Sequence, residues 1–367
     1  TSGGGVNLFD RRSDQFQHYY RRTDADNSLS HNLIRSLWAD GNGNIWIGTG
    51  QGLNLYIKRE NRFKTYNADP GDPNGLSHND IRAVRGDRKG RLWIGTYGGG
   101  LNRFDPGTGI FTRFRHQSGD PDSISSDFIR TVYQDRTGNI WAGTRNAGVS
   151  RFDQKSGIFR TFRSNPEQSG SLSNDSVWVV FSDSDGYIWI GTDGGLNRYD
   201  EGKQLFTRYQ YSPDNFASLS NDSVRSIFED SLGTLWIGTR GGLNQYRPKG
   251  DDFIYYREKD GLANDVVYGI LEDRQHHLWI STNRGLSRFG LRTRTFHNYD
   301  VRDGLQSNEF NAGAYCQDPN GFFYFGGING FNGFDPDQIT DNDFIPPIVF
   351  TDFLILNKSV PISDRSV

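Results

Sequence analysis

A tryptophan that returns at nearly constant intervals constrains this chain more than any other feature. It marks six copies of a motif such as "LWIGTYGGGLNRFD", which runs from Leu92 to Asp105. The series is Trp46, Trp93, Trp141, Trp189, Trp236 and Trp279, with spacings of 47, 48, 48, 47 and 43 residues, and a degenerate copy places Tyr324 45 residues later. Periods of this length are typical of β-propeller blades, which have four strands each.

Each repeat divides into four predicted strands, here called A to D. Strand A is typified by "IRAVRGD" from Ile81, and strand B by "LWIGT", an apolar run expected inside a sheet. Strand C is typified by "LNRFD", and strand D by the alternating aromatic pattern "IFTRFRH" from Ile110. The glycines between B and C resemble a phosphate loop, but such a loop opens a helix after one particular strand. Here glycines recur between two strands, which indicates hairpin turns.

A polar segment before strand A also repeats, as in "LSHNDIR" from Leu76. Its fourth position is always Asn or Asp: Asn32, Asn79, Asp127, Asp175, Asp222, Asp265 and Asn308. A short acceptor side chain there can bond backbone N–H groups two residues on and fix the turn into strand A. Seven equivalent residues indicate an architectural role.

The number of strands predicts how the ring closes. Strands A and B occur seven times, whereas strand D occurs six times inside the chain, around Phe63, Phe111, Phe159, Phe206, Phe253 and Phe296. The last repeat lacks strand D, and "FQHYY" from Phe16 to Tyr20 matches it. We therefore predict an all-β, seven-bladed β-propeller over residues 1–343, closed by pairing of its N- and C-terminal segments.

Both ends of the chain extend this prediction. "TSGGGVNLFD" from Thr1 is a surplus strand C whose Thr1 aligns with Thr96, so we expect at least one further repeat upstream. Residues 344–367 have a different rhythm and are predicted to be a linker and the first strand or two of another β domain. We expect this tail to leave from the face opposite the B–C turns.

Composition excludes several classes of function. The net charge of -3 gives no sequence-wide basic field for nucleic acid. No apolar run approaches the roughly 18 residues that span a bilayer. The single cysteine, Cys316, excludes an internal disulfide. We expect no metal or cofactor: His31 and His78 occupy equivalent polar loop positions without further ligands.

The unit "IR-x-V-x4-D-x2-G-x-LWIGT-x-GGLNRF" resembles the two-component regulator propeller repeats. The end of the chain, "NGFNGFDPDQI" followed by "IPPIVFTDFLILNKSV", resembles the junction into the Ig-like Y_Y_Y domain, which would make residues 344–367 the start of that domain. The resemblance implies a non-catalytic periplasmic sensor region of an inner-membrane hybrid histidine kinase, or of a diguanylate cyclase. It also implies a homodimer in the full-length protein, a transmembrane segment absent from this sequence, and a small ligand, often an oligosaccharide.

Candidate ligand contacts lie on the face with the B–C turns, where residues differ between repeats. At the start of strand A the series is Arg35, Arg82, Arg130, Trp178, Arg225, Tyr268 and Asn311; after the strand B threonine the candidates are Tyr97, Arg145, Arg240 and Asn283. Aromatic and guanidinium groups around a funnel could stack on a sugar ring and pair with a carboxylate or sulfate. Alternatively, the strand A arginines bond neighbouring blades. Trp178, Tyr268 and Tyr97 depart from the repeat and are the sharper candidates.

Two other functions remain open at this point. A propeller polysaccharide lyase or glycosidase would need acidic residues outside the repeat pattern on this face, and Asp193 and Glu309 are the clear ones. They come from well-separated repeats, so the sequence favours a sensor. The third possibility is a scaffold that only binds other proteins.

Overall fold

The computed structural model describes residues 15–25 and 27–340, together with the backbone of 354–355 and 358–359. Seven four-stranded antiparallel sheets form a ring of blades, each with the spatial order A, B, C, D. The A strands of adjacent blades contact each other and surround a central channel. The prediction of a seven-bladed β-propeller is confirmed.

The strand bounds follow the repeat, from blade 1 to blade 7. Strands A are Ile34–Ala39, Ile81–Gly86, Ile129–Gln134, Val177–Ser182, Val224–Glu229, Val267–Glu272 and Phe310–Gln317. Strands B are Ile45–Thr49, Leu92–Thr96, Ile140–Thr144, Ile188–Thr192, Leu235–Thr239, His277–Thr282 and Phe323–Gly327. Strands C are Gly52–Ile57, Leu101–Asp105, Val149–Phe152, Gly195–Asp200, Gly242–Arg247, Gly285–Gly290 and Gly330–Phe334. Strands D are Arg62–Tyr66, Ile110–Phe114, Phe159–Phe162, Leu205–Tyr209, Asp252–Tyr256, Phe296–Tyr299 and, for blade 7, Gln17–Tyr19.

The N-terminal strand closes the ring, as predicted. Its His18 lies opposite Asn332 in strand C of blade 7. Phe16 is buried against the rings of Tyr299 and Phe334. Tyr19 stacks on the ring of Phe331 in strand C of blade 7. The two ends of the described chain are thereby joined within the sheet of blade 7, whose strand C is paired on both sides.

Two terminal predictions lie largely outside the described residues. The surplus strand from Thr1 to Asp10 is among them, and so is most of the tail. In the tail, Leu354–Ile355 pairs with Lys358–Ser359 in a two-stranded antiparallel sheet. The assignment of residues 344–367 to a further domain stays a prediction.

The blades pack through strand B. Trp93 is fully buried and stacks on Phe114 of its own blade while contacting Phe152 of the next. Two residues later, a Cβ on Gly95 would lie 2.6 Å from Cγ2 of Ile129 in strand A of the next blade. The glycine inside "LWIGT" is therefore required because the next blade approaches the strand so closely.

The glycines between strands B and C do form hairpin turns. One glycine in each turn has a positive φ, the left-handed region that favours glycine: Gly52, Gly100, Gly148, Gly195, Gly242, Gly285 and Gly330. In blade 2, the hydroxyl of Thr96 donates to the Gly100 carbonyl and accepts from the Gly99 N–H. The turn is thus closed by side-chain as well as backbone bonds, and no helix follows it.

The role predicted for the repeated Asn or Asp before strand A was wrong in detail. The Asn79 side chain accepts from the Ala68 N–H, eleven residues upstream, and its carbonyl accepts from the Gly52 N–H of the preceding blade. The bond to the N–H two residues on is made by the preceding position: the Nδ1 of His31 and of His78 accept the N–H groups of Leu33 and Asp80. The two adjacent positions therefore have different roles: the repeated Asn or Asp joins neighbouring segments and blades, and the residue before it fixes the turn. His31 and His78 are such turn residues.

The chain leaves blade 7 on the face that carries the A–B turns. The 3₁₀ helix Pro336–Gln338 follows strand C, and its Asp337 lies 3.2 Å from Arg274 in the A–B turn of blade 6. The described part of the exit thus agrees with the prediction that the B–C face stays clear of the tail. Three further 3₁₀ turns, Lys58–Glu60, Glu258–Asp260 and Val301–Asp303, connect strands. Among the described residues, no helix has the length and apolar character of a membrane span.

Candidate ligand-binding site

A bulge at the start of strand A turns one side chain of each blade toward the channel. In blade 2, Ile81 lies opposite Thr96 and Ala83 opposite Gly95, so Arg82 has no partner in the ladder. A bulge of this kind re-aims the extra residue. The same irregularity falls at Arg35, Arg130, Trp178, Arg225 and Tyr268. All these positions were predicted as candidate contacts, but the bulge that aims them is visible only in the structure.

These side chains form the mouth of a central cavity of about 750 Å³. Most of the predicted site residues line it: Arg35, Arg82, Tyr97, Arg130, Trp178, Arg225, Arg240, Tyr268 and Asn311. Arg145 and Asn283 are exposed residues outside its lining. The volume is within the range of small-molecule sites.

One side of the mouth is built around the indole of Trp178. The guanidinium carbons of Arg225 and Arg130, from the two flanking blades, lie 3.6 and 4.0 Å from its ring centroid. Arg225 also lies 3.0 Å from Asp193, and Arg130 donates to Ser176 at 2.7 Å. Bonds between neighbouring blades, the alternative considered for the arginines, are therefore present at Arg130 and Arg225. Trp178 already has two guanidinium neighbours, which favours a positioning role over direct stacking on a ligand.

Asp193 is the anchor of this cluster. Its carboxylate accepts the hydroxyls of Ser176 at 2.5 Å and Ser223 at 2.8 Å, in addition to the contact with Arg225. Burial alone would raise its pKa, but these hydroxyl bonds, the nearby Trp178 N–H and the Arg225 charge together lower the pKa to about 2. The group is therefore ionised at neutral pH and is a poor proton donor.

A second ion pair lies in blade 2. Asp80 receives two bonds from Arg82, Nε to Oδ1 and Nη2 to Oδ2, both at 2.8 Å. Arg82 also lies 4.4 Å from the ring centroid of Tyr97, and Arg145 lies 5.5 Å from it. The edge-to-face contact between Tyr97 and Phe128, at 5.0 Å, fixes the ring further. Tyr97 is thus held in place by neighbours on two blades.

The opposite arc of the mouth is less engaged. Asn311 donates to the Ile34 carbonyl at 2.7 Å and ties blade 7 to blade 1. The side chains of Arg35, Arg240 and Tyr268, in contrast, make no hydrogen bond or ion pair with any described residue, and the Nε of Arg35 is buried. Donors in this arc are available to a ligand.

Deeper in the channel the lining becomes aromatic. Trp38, Tyr133, Phe181, Phe228 and Tyr315 line the cavity toward the A–B face. Cys316 is buried beside them, and burial raises the pKa of its thiol, which disfavours a nucleophilic thiolate. Among the described residues, no cluster of three or more His, Cys, Asp or Glu side chains is arranged to hold a metal ion.

Some elements of the mouth were missed by the sequence prediction. Asp80, two residues before Arg82, was not among the predicted contacts. Asp193 was considered only as a possible catalytic acid and not as a partner of an arginine. Blade 7 carries two additional residues in strand A, where the register jumps from Phe310 to Tyr315. As a result, Ala312 and Gly313 line the cavity. Aligning the repeats from strand A to the turn aspartate would have revealed this insertion.

Comparison with known proteins identifies the repeat. Five segments match the family model described as the two component regulator propeller: residues 75–98, 123–146, 171–194, 218–241 and 261–284. Each segment runs from the loop before strand A to the end of strand B, and so includes the mouth positions. The chain carries two-component regulator propeller repeats. The resemblance seen in the sequence is thereby confirmed for the repeat.

Two proteins that are similar to parts of this chain, or to all of it, are described as signalling proteins. The extracellular domain of a B. thetaiotaomicron protein described as a hybrid two-component system is 27% identical, with a TM-score of 0.78, over 95% of this chain and 46% of that chain. A 56-residue segment is 48% identical to Histidine kinase P4 of Formosa agariphila, covering 15% of this chain and 4% of the kinase. This chain therefore spans less than half the length of either protein.

A third similarity concerns the fold alone. Virginiamycin B lyase from Staphylococcus aureus is 14% identical, with a TM-score of 0.63, over 87% of this chain and 97% of the lyase. The same propeller architecture therefore also occurs in an enzyme, and the fold does not by itself decide between binding and catalysis.

Proposed function

We propose that this chain is a non-catalytic sensor domain of a membrane-bound signalling protein and binds a small ligand at the channel mouth. The observation that carries the proposal is the set of cavity-lining donors that have no partner among the described residues, those of Arg35, Arg240 and Tyr268, on a scaffold of regulator propeller repeats. We further propose a periplasmic location, a homodimeric full-length protein and a carbohydrate-derived ligand. The similarity to an extracellular domain of a two-component system supports the sensory role.

The geometry of the acids favours binding over hydrolysis. A glycosidase needs one carboxyl group that can donate a proton, beside a second carboxylate. Asp193 has a strongly lowered pKa and accepts bonds from two serines and an arginine, so it is occupied as a structural acceptor. None of the cavity-lining residues described is a histidine. An output through a histidine kinase or a diguanylate cyclase is compatible with this role.

Calorimetric titration of the purified chain with a panel of oligosaccharides tests the proposal, with product analysis by mass spectrometry in parallel. We expect saturable binding without turnover. The variant Tyr268→Ala should weaken binding at least about fivefold, because it removes one cavity-lining ring and hydroxyl. Phe216→Ala, which changes an exposed aromatic residue outside the cavity lining, should leave affinity unchanged.

The other outcomes separate the competing functions. Cleavage of any oligosaccharide would contradict the non-catalytic role and favour a lyase or glycosidase. Absence of binding to every sugar would contradict carbohydrate sensing and favour a protein-binding scaffold.

A further inference from the structure

The mouth concentrates positive charge in a chain that is acidic overall. The arginines that line it on the B–C face are Arg35, Arg82, Arg130, Arg225 and Arg240, hereafter the mouth arginines. Arg145 is exposed and lies outside the lining. The carboxylates on the same loops are Asp80, Asp193 and the exposed Glu309, together with the repeated aspartates Asp127, Asp175, Asp222 and Asp265. The side chains of these four repeated aspartates accept backbone N–H groups of the segment that follows strand D. The net charge of the whole chain is -3. These five arginines line the cavity, whereas none of the described residues that line it is an aspartate or a glutamate.

The carboxylates of Asp80 and Asp193 are already engaged by protein partners. Both oxygens of Asp80 accept from Arg82, and Asp193 is shared between Arg225 and two serines. Arg130 is more distant from Asp193, at 3.9 Å. Among the described residues, neither carboxylate forms an ion pair with Arg35 or Arg240, although the charge of Asp80 acts on Arg35 at longer range.

Two of the mouth arginines keep buried donors without partners. The Arg225 side chain is 3% exposed, yet its Nη1 makes no hydrogen bond within the described structure. The Nε of Arg35 is in the same state. A buried charged donor left unsatisfied is costly, so such groups call for an acceptor. Burial also lowers the pKa of Arg225 to about 10, which still leaves it charged at neutral pH.

Arg225 is fixed before any ligand arrives. Its guanidinium group lies on Trp178 and its Nη2 contacts Asp193, so one edge is occupied while Nη1 is left over. A planar donor held in this way loses little freedom on binding a planar or tetrahedral oxyanion. The next residues around the channel are Tyr268, Asn311 and then Arg35. The Tyr268 hydroxyl has no hydrogen-bond partner in the part of the chain that the structure describes.

We infer that the arc from blade 5 to blade 1 is an oxyanion site, in which Arg225, Arg240, Tyr268 and Arg35 bind a carboxylate, sulfate or phosphate group of the ligand. The inference rests on the proposed ligand site and specifies the chemistry of the ligand: an acidic rather than a neutral saccharide or metabolite. Asp193 and Trp178 act as positioning residues for Arg225. On the other side of the mouth, Arg82 is already paired with Asp80.

Matched neutral and acidic probes test the inference. The chain is titrated at constant ionic strength with glucuronate, glucose 6-sulfate, glucose 6-phosphate, glucose and inorganic sulfate. We expect binding of at least one acidic probe and at least about tenfold weaker binding of glucose, because charge-assisted bonds are lost. The relative affinities of the acidic probes distinguish a carboxylate, a sulfate and a phosphate ester as the source of the oxyanion.

Variants locate the site. Arg240→Gln and Arg35→Gln should each weaken the acidic probe about tenfold, and Tyr268→Phe should weaken it about threefold. Arg292→Gln, an exposed arginine in the C–D loop of blade 6 on the opposite face, is the matched control and should leave affinity unchanged. Arg225→Gln is measured together with circular dichroism, since it also removes the Asp193 contact.

The outcomes separate this inference from the proposed function. Equal binding of glucose and glucuronate, or unchanged affinity in both Arg240→Gln and Arg35→Gln, would overturn the oxyanion site while leaving a sensor for neutral sugars intact. Binding of inorganic sulfate and glucose 6-phosphate that depends on these arginines, without binding of any oligosaccharide, would support the oxyanion site and contradict carbohydrate sensing. Failure of every acidic probe to bind would overturn the inference.

Discussion

At the scale of single residues, the turn aspartate after strand A links the repeat signature to the core. In five blades its Oδ2 accepts the indole N–H of the tryptophan six residues later, at 2.6 to 3.0 Å: the acceptors are Asp87, Asp135, Asp183, Asp230 and Asp273. Its other oxygen accepts backbone N–H groups of the A–B turn, as Asp230 does from Leu232 and Thr234. One carboxylate therefore sets both the turn and the orientation of the buried ring.

Asp230→Ala should lower the free energy of unfolding by at least about 2 kcal/mol, because it leaves the buried Trp236 N–H and two turn N–H groups without acceptors. Urea unfolding measured by tryptophan fluorescence checks this. Asp185→Ala, at an exposed turn position without a hydrogen bond, is the control and should stay within about 0.5 kcal/mol of the parent. Equal stability of the two variants would contradict the role assigned to Asp230.

Asp193 gives the mouth a defined dependence on pH. Its pKa in the folded protein is lowered to about 2, whereas an unfolded chain has an aspartate pKa of about 4. A lowered folded pKa stabilises the protein above the unfolded pKa, and that stabilisation is lost as the pH falls from about 4 through about 2.

The difference in unfolding free energy between the parent and Asp193→Asn should therefore be largest above about pH 4 and should shrink toward pH 2. Urea unfolding at a series of pH values measures it. Asp214→Asn, which changes an exposed side chain without a hydrogen bond, should give a curve parallel to the parent. A constant difference for Asp193→Asn across this range would show that the charge of Asp193 does not stabilise the mouth.

At the scale of the strand, the blade interface depends on the absence of a side chain in strand B. A Cβ on Gly143 would lie 2.5 Å from Cγ2 of Thr131 and 2.6 Å from Cγ1 of Val177. Blade 6 carries Ser281 at the equivalent position, and there strand A supplies Gly269 instead. In blade 6 the glycine therefore lies in strand A instead of strand B, and the space that the next blade occupies is kept.

Gly143→Ala should destabilise the protein by about 1–3 kcal/mol, because the added methyl group overpacks a tight interface. Gly41→Ala is the matched control, since a Cβ there meets nothing within 4 Å and the backbone lies outside the left-handed region. Thermal and urea unfolding of both variants provide the comparison. A Gly143→Ala protein as stable as Gly41→Ala would show that the interface can relax by several tenths of an ångström.

At the scale of the whole molecule, the ring makes distant parts of the chain depend on one another. Blade 7 is built from residues at opposite ends of the described chain, and the bond from Asn311 to the Ile34 carbonyl and the ion pair between Lys58 and Asp318 join blade 7 to blade 1. The N-terminal strand therefore supports the geometry of the channel that the A strands surround. Loss of its packing is expected to affect the entire ring.

Phe16→Ala should lower stability by about 3 kcal/mol, since it removes a buried ring that contacts two others. We expect one cooperative transition at a lower midpoint, with far-ultraviolet circular dichroism and tryptophan fluorescence in coincidence. Tyr20→Ala is the control and should change stability little, because Tyr20 directly follows the strand and is 47% exposed. Separate transitions for the two signals would contradict the coupling of ring closure to the other blades.

The repeats in the amino-acid sequence were enough to predict the number of blades, the strands of each blade and the closure of the ring. This was possible because each repeat contains its own turn and strand B signals, and because strand D is missing from one end and present at the other. It also located most of the mouth, since Trp178 and Tyr268 stand where the other repeats place arginine or asparagine. These are local patterns, and they can be recognised because they are repeated along the chain.

The contacts that these residues make could be found only from the folded chain. The bulge that directs Arg82 inward depends on the register between strands A and B of its blade. The bond of Asn79 reaches a residue eleven positions upstream, and the contact of Asp193 with Arg225 joins two blades. No pattern within one repeat encodes such a distance. The buried N–H donors of Arg225 and Arg35 that lack a hydrogen-bond partner among the described residues could likewise not be predicted. Whether a donor is buried, and whether it has an acceptor, depends on how all seven blades pack around the channel.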